Sequence, residues 1–357
     1  MATHVVGIGA SAGGLEPLSE LLGALPVGTG IACVVVQHLD PRHQSLLPEI
    51  LAKATAVPVT LAFEGEAVRS DHVYIIPPNA TLTVADHRFH LTKRPAFERH
   101  LPVDALFKSL AAAYAESAIG VVLSGGDSDG SLGIQDSKHG GGIVFAQSPE
   151  SARFPDMPRH AIETGCVDRV LTPGEIAHEL VRLSGQGSLS TPASGVVTSG
   201  DDAFLKTILQ RLRAAHRLDF THYKRSTLRR RLERRMMLRG IKSLEEYCTV
   251  IDGDPEEMAA LYQDFLIRVT EFFRDSDSFQ ALRQEVFPAW REPRNGSQPI
   301  RIWVPGCATG EEVYSIAIEL LESLGDRISP NEVQIFGTDV SEDALERARA
   351  GVYLANV

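Results

Sequence analysis

The sequence predicts an α/β protein with a doubly wound parallel sheet, followed by a small all-α domain and the start of a second α/β domain. Residues 1–184 alternate short β-branched runs with helical patterns, which is typical of a parallel sheet covered by helices. Residues 201–290 carry consecutive helical patterns with little strand signal, and residues 291–357 return to strand and helix. The small and polar residues of 185–200 predict a linker between the first two domains.

The length and composition set limits on the class of protein. At 357 residues, the chain exceeds what one hydrophobic core usually serves, so more than one domain is expected. The formal net charge of -11 argues against a general nucleic-acid binder. The sequence opens without a basic flank or a long apolar run, so we expect a soluble, cytoplasmic protein with no direct membrane insertion. The cysteines are spaced too far apart for a metal site and predict free thiols: Cys33, Cys166, Cys248 and Cys307.

Short apolar runs give the predicted strands. In the first domain the clearest are Val5–Gly9, Ile31–Gln37, His72–Ile76, Ile119–Ser124 and Ile143–Gln147. In the last domain the predicted strands are Ile300–Val304 and Val333–Gly337, with helices that begin near Glu311 and Ser341.

Polar side chains follow three strands of the first domain. Ser11 lies in a turn of small residues directly after the first strand, where it would be exposed above the sheet. A serine hydroxyl needs a base to become a good nucleophile, and His38 follows the second strand. Asp127 and Asp129 follow a later strand. Because the carboxyl ends of parallel strands meet at one edge of a sheet, we expect these side chains to lie close together.

Each of these residues also has a structural interpretation. The glycine-rich turn around Ser11 could instead form a phosphate-binding nest of backbone amides. His38 could simply end a strand, and Asp129 could serve the Asp-Ser-Asp-Gly turn in which it lies. The placement of all three at strand ends favours the nucleophilic site.

The first domain resembles a known family. Four segments match the catalytic domain of the CheB-type chemotaxis protein-glutamate methylesterases, in the family's order: Ile8–Gly14, Val36–His38, Arg99–Phe107 and Leu123–Gly130. The resemblance implies hydrolysis of glutamyl methyl esters on chemoreceptors, with release of methanol and without a cofactor. It also implies that Ser11 is the nucleophile, His38 the general base and Asp129 the carboxylate that orients the imidazole.

The resemblance assigns the oxyanion to the backbone amides near Ala12 and Gly126. Gly126 stands where the family commonly has methionine, and Asp127 stands where it commonly has glycine. We expect Asp127 to be a neighbour of the site, whose negative charge disfavours the oxyanion and alters activity or substrate choice. The first strand starts almost at Met1, so we expect neither a receiver domain before it nor control by phosphorylation in cis.

Two features of the later region carry chemistry. Residues 224–236 form a strongly basic helical stretch in an acidic protein, which favours an acidic partner over a solvated face. The stretch lacks the aromatic interleaving of an RNA-binding surface. Glycines of 306–310 follow a strand and open a helix, and Asp339 ends the next strand. This arrangement is typical of a nucleoside-bearing cofactor site.

The region from 201 onward resembles the CheR-type chemotaxis protein-glutamate O-methyltransferases, which use S-adenosyl-L-methionine. The matching segments are Tyr223–Arg231, Thr270–Arg274, Cys307–Ser315 and Gly337–Ser341. By position, the resemblance implies cofactor contacts from Thr270, Arg274, Glu311 and Asp339. It implies docking of the receptor substrate by the basic helix through Lys224, Arg225, Arg229, Arg230 and Arg231.

We expect residues 291–357 to hold only the start of a Rossmann-like, S-adenosylmethionine-dependent domain, because two strands are present and such sheets have six or seven. The favoured interpretation is therefore a bifunctional chemosensory adaptation enzyme: a methylesterase with an appended, truncated methyltransferase. Both families act on the same receptor glutamates, so a methyl-accepting chemoreceptor is the expected partner and nucleic acid is not. Two alternatives stay open, a regulatory or docking protein whose esterase site is impaired by Asp127, and an esterase for small soluble esters.

Overall fold

The computed structural model describes residues 4–38, 45–94, 99–185, 199–266, 270–290, 299–325 and 333–353. The chain forms two compact units, Met1–Phe265 and Leu266–Val357. The first unit contains both the sheet domain and the following helices. Most of the predicted linker, residues 186–198, lies outside the described residues. The predicted domain boundaries stay predictions.

The first unit is built on a seven-stranded parallel sheet. Its strands are β1 (His4–Ala10), β2 (Ile31–Gln37), β3 (Val59–Leu61), β4 (His72–Ile75), β7 (Ala118–Val122), β8 (Ile143–Gln147) and β9 (Arg169–Leu171). The order across the sheet is β3-β4-β2-β1-β7-β8-β9, so the chain reverses its direction of progress at β1. Ligand sites of open α/β sheets lie at such a switch point, outside the carboxyl ends of the strands.

Helices cover both faces of this sheet. They are α1 (Leu15–Gly23), α2 (Leu47–Ala54), α3 (Pro102–Tyr114), α4 (Gly133–His139), α5 (Asp156–Glu163) and α6 (Pro173–Gly185). Apolar side chains of α1, α2 and α6 share one buried cluster with the sheet, and those of α3, α4 and α5 share another. The central strands β1, β2, β7 and β8 are largely apolar runs because both of their faces are buried. The predicted doubly wound α/β sheet is confirmed.

The structure contains strands that are not among those predicted from the sequence. Two of them, β5 (Ala80–Ala85) and β6 (Arg88–Lys93), form an antiparallel hairpin beside the parallel sheet. The two-residue turn between them, Asp86 and His87, has positive φ at both positions, which is the hairpin geometry that matches strand twist. Polar and apolar residues alternate over 80–84 and 88–92, so both strands carried a usable signal that the prediction missed. The short strands β3 and β9 were also not predicted.

Four helices complete the first unit: α7 (Ser199–His216), α8 (Arg225–Arg239), α9 (Leu244–Gly253) and α10 (Pro255–Phe265). The end of α8 packs on the sheet domain, since Met237 and Leu238 join the buried cluster beside α6. The guanidinium group of Arg234 is fully buried and contacts the carboxylates of Asp168 and Asp264, and it donates a hydrogen bond to the Gly142 carbonyl at 2.8 Å. The basic helix is therefore attached to the sheet domain by buried charge.

The second unit is a small α/β arrangement. Two parallel strands, β10 (Ile300–Pro305) and β11 (Val333–Thr338), accompany α11 (Ser276–Ala281), α12 (Glu311–Leu324) and α13 (Glu342–Ala350). A π-helical turn at Leu282–Val286 and a 3-10 turn at Phe287–Trp290 continue from α11. The predicted helix starts near Glu311 and Ser341 are confirmed. None of the helices in the described part of the chain is long and apolar enough to cross a membrane.

Candidate active site

Ser11 lies in a tightly fixed turn at the switch point. Its backbone N–H donates to the Ser124 carbonyl at 2.9 Å, so the residue after β1 is tied to the segment that follows β7. The Ser124 hydroxyl donates to the Ala12 carbonyl at 2.9 Å, which holds the other side of the turn. Gly125 must be glycine, because a Cβ there would lie 1.9 Å from the sulfur of Met157 and 2.9 Å from Cβ of Ser11. The strand end and its neighbours thus present the serine in one position.

The imidazole of His38 bridges a hydroxyl and a carboxylate. His38 follows β2 directly, and its Nδ1 lies 3.1 Å from Oγ of Ser11. On the other side of the ring, Nε2 lies 2.8 Å from Oδ2 of Asp129. A carboxylate only accepts hydrogen bonds, so Nε2 carries a hydrogen, and Nδ1 of the neutral ring can accept the hydrogen of Ser11. The strands that carry these three residues are adjacent in the sheet, in the order β2-β1-β7.

Asp129 is held by the start of a helix. It is only 1% exposed, and its two oxygens accept hydrogen bonds from the backbone N–H groups of Val103 (3.0 Å) and Asp104 (2.9 Å) in the first turn of α3. The helix N-terminus favours negative charge there. The helix can come this close because Gly9 has no side chain, since a Cβ at Gly9 would lie 2.3 Å from Val103. The carboxylate is therefore fixed before any substrate binds.

A second carboxylate contacts the same imidazole. Oδ2 of Asp127 lies 3.3 Å from Nδ1 of His38, the ring nitrogen that also faces Ser11. Oδ1 of Asp127 accepts a hydrogen bond from the Asp129 N–H at 3.0 Å. Burial lowers the pKa of His38, but hydrogen bonds and charge from Asp127 and Asp129 outweigh it and raise that pKa to about 9. The hydrogen bond to His38 keeps the pKa of Asp127 below its usual value, although burial opposes this.

A cavity of about 370 Å³ opens beside His38. Its lining includes Asn79, Arg94, Arg99, His100 and Asp127. The lining is mostly polar and carries two guanidinium groups, so the site can receive a polar segment of a substrate. The amides of Ala12 and Gly126 remain predicted oxyanion donors. A Cβ at Gly126 would meet no atom within 4 Å, so this part of the loop is open to a bound molecule.

The predicted docking residues of the basic helix fall into two groups. Lys224 and Arg225 are exposed, and Arg225 and Arg229 have acidic partners in Asp202 and Glu233. By contrast, the side chains of Arg230 and Arg231 point at the sheet domain. Arg230 donates to the carbonyl of His139 at 3.3 Å, and Arg231 donates to that of Lys138 at 3.3 Å. These carbonyls end α4, where cations are favoured by the helix dipole. Arg231 is 3% exposed, so it is already engaged within the chain.

The predicted cofactor residues all lie in the second unit. Thr270 and Arg274 line a cavity of about 190 Å³ together with Glu312 and Ile316. Asp339 follows β11 and accepts hydrogen bonds from the N–H groups of Ala308 (2.9 Å) and Ser341 (2.8 Å). Oε2 of Glu311, at the start of α12, accepts a hydrogen bond from the Thr309 hydroxyl at 2.6 Å. The structure fixes the two acidic side chains beside the glycine-rich loop.

Sequence reasoning missed two features of the active site. It placed Asp127 nearby without assigning it to the imidazole, although its position two residues before Asp129 at the same strand end was a usable signal. It also missed that the amides of Val103 and Asp104 hold Asp129, which no local pattern reveals. The described residues contain no group of three or more histidine, cysteine or acidic side chains placed to hold a metal ion.

A serine, a histidine and a buried aspartate lie in sequential contact at the carboxyl edge of the parallel sheet, which is the arrangement that serine hydrolases use. The comparisons with known proteins give the family. Residues 6–180 match the family model of the CheB methylesterase. Residues 203–266 match that of the CheR methyltransferase all-alpha domain, and residues 268–357 match that of its SAM binding domain.

Individual proteins show the same similarity. A putative protein-glutamate methylesterase/protein-glutamine glutaminase of Leptospira interrogans is 36% identical over 186 residues, which are 51% of this chain and 96% of the relative. An uncharacterized 104.1 kDa protein of Rhodobacter capsulatus is 34% identical over 87% of this chain, and the chain spans 35% of its length. The crystal structure of the Thermotoga maritima CheB methylesterase catalytic domain is 31% identical, with a TM-score of 0.48, and the match covers 51% of this chain and all of that one. This chain belongs to the CheB methylesterase family, and CheR methyltransferase domains follow its methylesterase domain.

Proposed function

We propose that this chain hydrolyses glutamyl methyl esters of a methyl-accepting chemoreceptor, in the cytoplasm and without a cofactor for this step. Ser11 is the nucleophile, His38 the general base and Asp129 the carboxylate that orients the imidazole. The observation that carries the proposal is the continuous contact from Ser11 Oγ to His38 Nδ1 (3.1 Å) and from Nε2 to Asp129 (2.8 Å). Membership of the CheB family supports the substrate.

The geometry gives each atom a role. The Ser11 oxygen attacks the ester carbonyl carbon while its proton passes to Nδ1 of His38. Asp129 accepts the hydrogen of Nε2 and stabilises the imidazolium that forms. The amides of Ala12 and Gly126 stabilise the negative oxygen of the tetrahedral intermediate. When the intermediate collapses, the methoxy group takes the Nδ1 proton and leaves as methanol. Water then attacks the acyl-serine by the same route, which releases the glutamate side chain and restores Ser11.

The values of kcat/KM for a receptor segment and for a small ester show which of the two is the substrate. We expect kcat/KM for methanol release to be at least about 100-fold higher with a methyl-esterified receptor fragment than with free glutamate γ-methyl ester, because contacts away from the ester contribute to transition-state binding. The control is the same fragment without esters, which should release no methanol. Equal turnover of the two esters would contradict the receptor substrate and favour an esterase for small soluble molecules.

For the CheR-type part, we propose that Thr270, Arg274, Glu311 and Asp339 form the site for S-adenosyl-L-methionine, which supplies the methyl group when bound. The support is the fixed position of the Asp339 carboxylate. Each of its oxygens accepts one backbone N–H, which leaves lone pairs for the two ribose hydroxyls. The glycine-rich loop lies directly beside it, so the acidic side chain and the loop fit a nucleoside.

Replacing Asp339 with alanine is expected to weaken S-adenosylmethionine binding about 10- to 100-fold, the usual loss for hydrogen bonds to a charged group. Equilibrium dialysis with labelled cofactor measures this. Glu346→Ala is the matched control, because Glu346 is an exposed acidic residue on α13. Equal affinity of the Asp339 variant and the control, or no binding by the unaltered chain, would contradict the assignment.

A further inference from the structure

The imidazole of His38 is in contact with carboxylates on both of its nitrogen atoms. Asp129 lies 2.8 Å from Nε2, as the proposed reaction requires. Asp127 lies 3.3 Å from Nδ1, on the side where Ser11 lies at 3.1 Å. The proposed roles of Ser11, His38 and Asp129 give Asp127 no task. The Asp127 carboxylate nevertheless contacts Nδ1, the atom that must take the serine proton.

The two neighbours of Nδ1 make opposite demands on it. Ser11 can transfer its proton only to a ring nitrogen with a free lone pair. A carboxylate has only acceptor sites, so its contact with a nitrogen lone pair is repulsive, and its contact with an N–H is favourable. With Nε2–H already held by Asp129, protonation of Nδ1 gives an imidazolium between two carboxylates. That charged form is complementary to its surroundings in the resting site.

We propose that Asp127 is a positioning residue that competes with Ser11 for Nδ1 of His38 and holds His38 in its protonated form at neutral pH. This inference rests on the proposed esterase function. In such an enzyme, His38 becomes a neutral general base only when Asp127 is neutralised or when the pH rises. Asp127 thereby sets the fraction of molecules that can start the reaction.

The surroundings of His38 support the role of Asp127. Among the residues that the structure describes, the charged and titratable groups that face His38 or its two carboxylates are Asp127 and Asp129 after β7, Asp104 on α3, Arg94, Arg99 and His100 in the segment before α3, and His160 on α5, whose Nδ1 lies 2.9 Å from the Asp127 carbonyl. Burial lowers the pKa of His100, and the charges of Arg94 and His38 lower it further, so His100 adds little positive charge of its own at neutral pH. Burial and the nearby charge of Asp129 raise the pKa of Asp104 to about 7, so Asp104 is only partly ionised at neutral pH. The two carboxylates in direct contact therefore dominate the charge at His38.

The sign of the effect follows from the pKa of His38, which these contacts raise to about 9. The neutral base is then a minority of roughly 1% at pH 7 and becomes the main form only above pH 9. The pH dependence of kcat/KM reports the ionisation of the free enzyme, so activity should rise along an alkaline limb with its midpoint near pH 9. Removal of the Asp127 charge should move this midpoint down.

The test is an Asp127→Asn variant. Asparagine keeps an oxygen to accept the Asp129 N–H, so the turn is preserved while the charge is removed. We expect the midpoint of kcat/KM for methanol release to fall by about 1 to 2 pH units, the usual effect of one adjacent opposite charge. Activity at pH 7 should rise roughly tenfold for each unit of that fall. Asp86→Asn, in the exposed β5–β6 turn, removes the same charge away from His38 and should leave the profile unchanged.

A second measurement makes the result independent of turnover. The His38 ring is titrated by NMR with labelled histidine in the full chain, and the same downward shift is expected in Asp127→Asn. An unshifted His38 titration overturns the role of Asp127 whether or not methanol is released. Absence of methanol release at every pH, with a shifted titration, contradicts the esterase function and leaves the Asp127–His38 coupling established.

Discussion

Replacing His38 with alanine is expected to lower kcat for ester hydrolysis about 10⁵- to 10⁶-fold, as far as replacing Ser11. The two side chains act as one unit, because the Ser11 hydroxyl gives its proton to the nitrogen 3.1 Å away. Without the imidazole, the serine has no base and the leaving methoxy group has no proton donor. The rate of methanol release from a methyl-esterified receptor fragment measures the loss.

The double variant, Ser11→Ala with His38→Ala, shows whether the two residues act as a unit or contribute independently to kcat. If the residues act as a unit, the double variant is no slower than either single one, since the residual rate comes from binding and from the oxyanion donors. His90→Ala is the matched control, because His90 is an exposed histidine on β6 that contacts Glu64. Multiplicative losses in the double variant, or a retained rate in His38→Ala, would contradict a role of His38 as the base for Ser11.

Replacing Arg234 with alanine is expected to lower the free energy of unfolding of the first unit by about 3 to 5 kcal/mol. The guanidinium group has no exposed surface, and it contacts Asp168 of the sheet domain and Asp264 of α10. Its removal leaves two almost fully buried carboxylates, with Lys138 at 3.8 and 3.6 Å as the nearby cation. Urea unfolding followed by circular dichroism measures the change.

Two further variants test the cause of that loss. Arg225→Ala removes an exposed arginine from the same helix and should leave stability nearly unchanged. Converting the whole cluster, with Arg234→Met, Asp168→Asn and Asp264→Asn together, should recover much of the loss, because no buried charge is then left without a partner. A small effect of Arg234→Ala, or a triple variant as unstable as the single one, would show that this cluster does not join α8 to the sheet domain.

The parallel sheet and the three residues that meet at its carboxyl edge could be predicted from the sequence. The central strands are apolar, mostly β-branched runs that are buried on both faces, and this pattern needs no knowledge of distant residues. The predicted meeting of Ser11, His38 and Asp129 depended only on the rule that parallel strands end at one edge. The order β2-β1-β7 brings them together even though His38 and Asp129 are far apart along the chain. Their catalytic roles stay proposals.

The atomic arrangement within the site was beyond the reach of the sequence. Which ring nitrogen of His38 faces Ser11 depends on the backbone direction after β2 and on the position of α3. The contact of Asp127 with Nδ1 depends on a turn whose shape is set by two hydrogen bonds, one from the Asp129 N–H to the Asp127 carboxylate and one from Nδ1 of His160 to the Asp127 carbonyl. A carboxylate two residues from another suggests proximity. It does not reveal which atom it touches.

The basic helix shows a different limit. A run of arginines predicts an exposed surface, because arginine is almost never fully buried without partners. The partners of Arg234 come from residues 168 and 264, and those of Arg230 and Arg231 are carbonyls at the end of α4. These positions are remote in the sequence, so the inward face of α8 could not be distinguished from its exposed face. The docking role predicted for the helix remains a proposal, in which Lys224 and Arg225 are the exposed residues.

Whether Ser11 is the nucleophile of a methylesterase is tested by methanol release from a methyl-esterified receptor fragment. The release is compared for this protein, its Ser11→Ala variant and a Ser19→Ala control. Ser19 lies on α1, where its hydroxyl donates a hydrogen bond to the Leu15 carbonyl of the same helix at 2.8 Å. We predict release by the unaltered protein and by the Ser19 variant, and none above background by the Ser11 variant. Equal release by all three, or release by none, would contradict a serine methylesterase that uses Ser11.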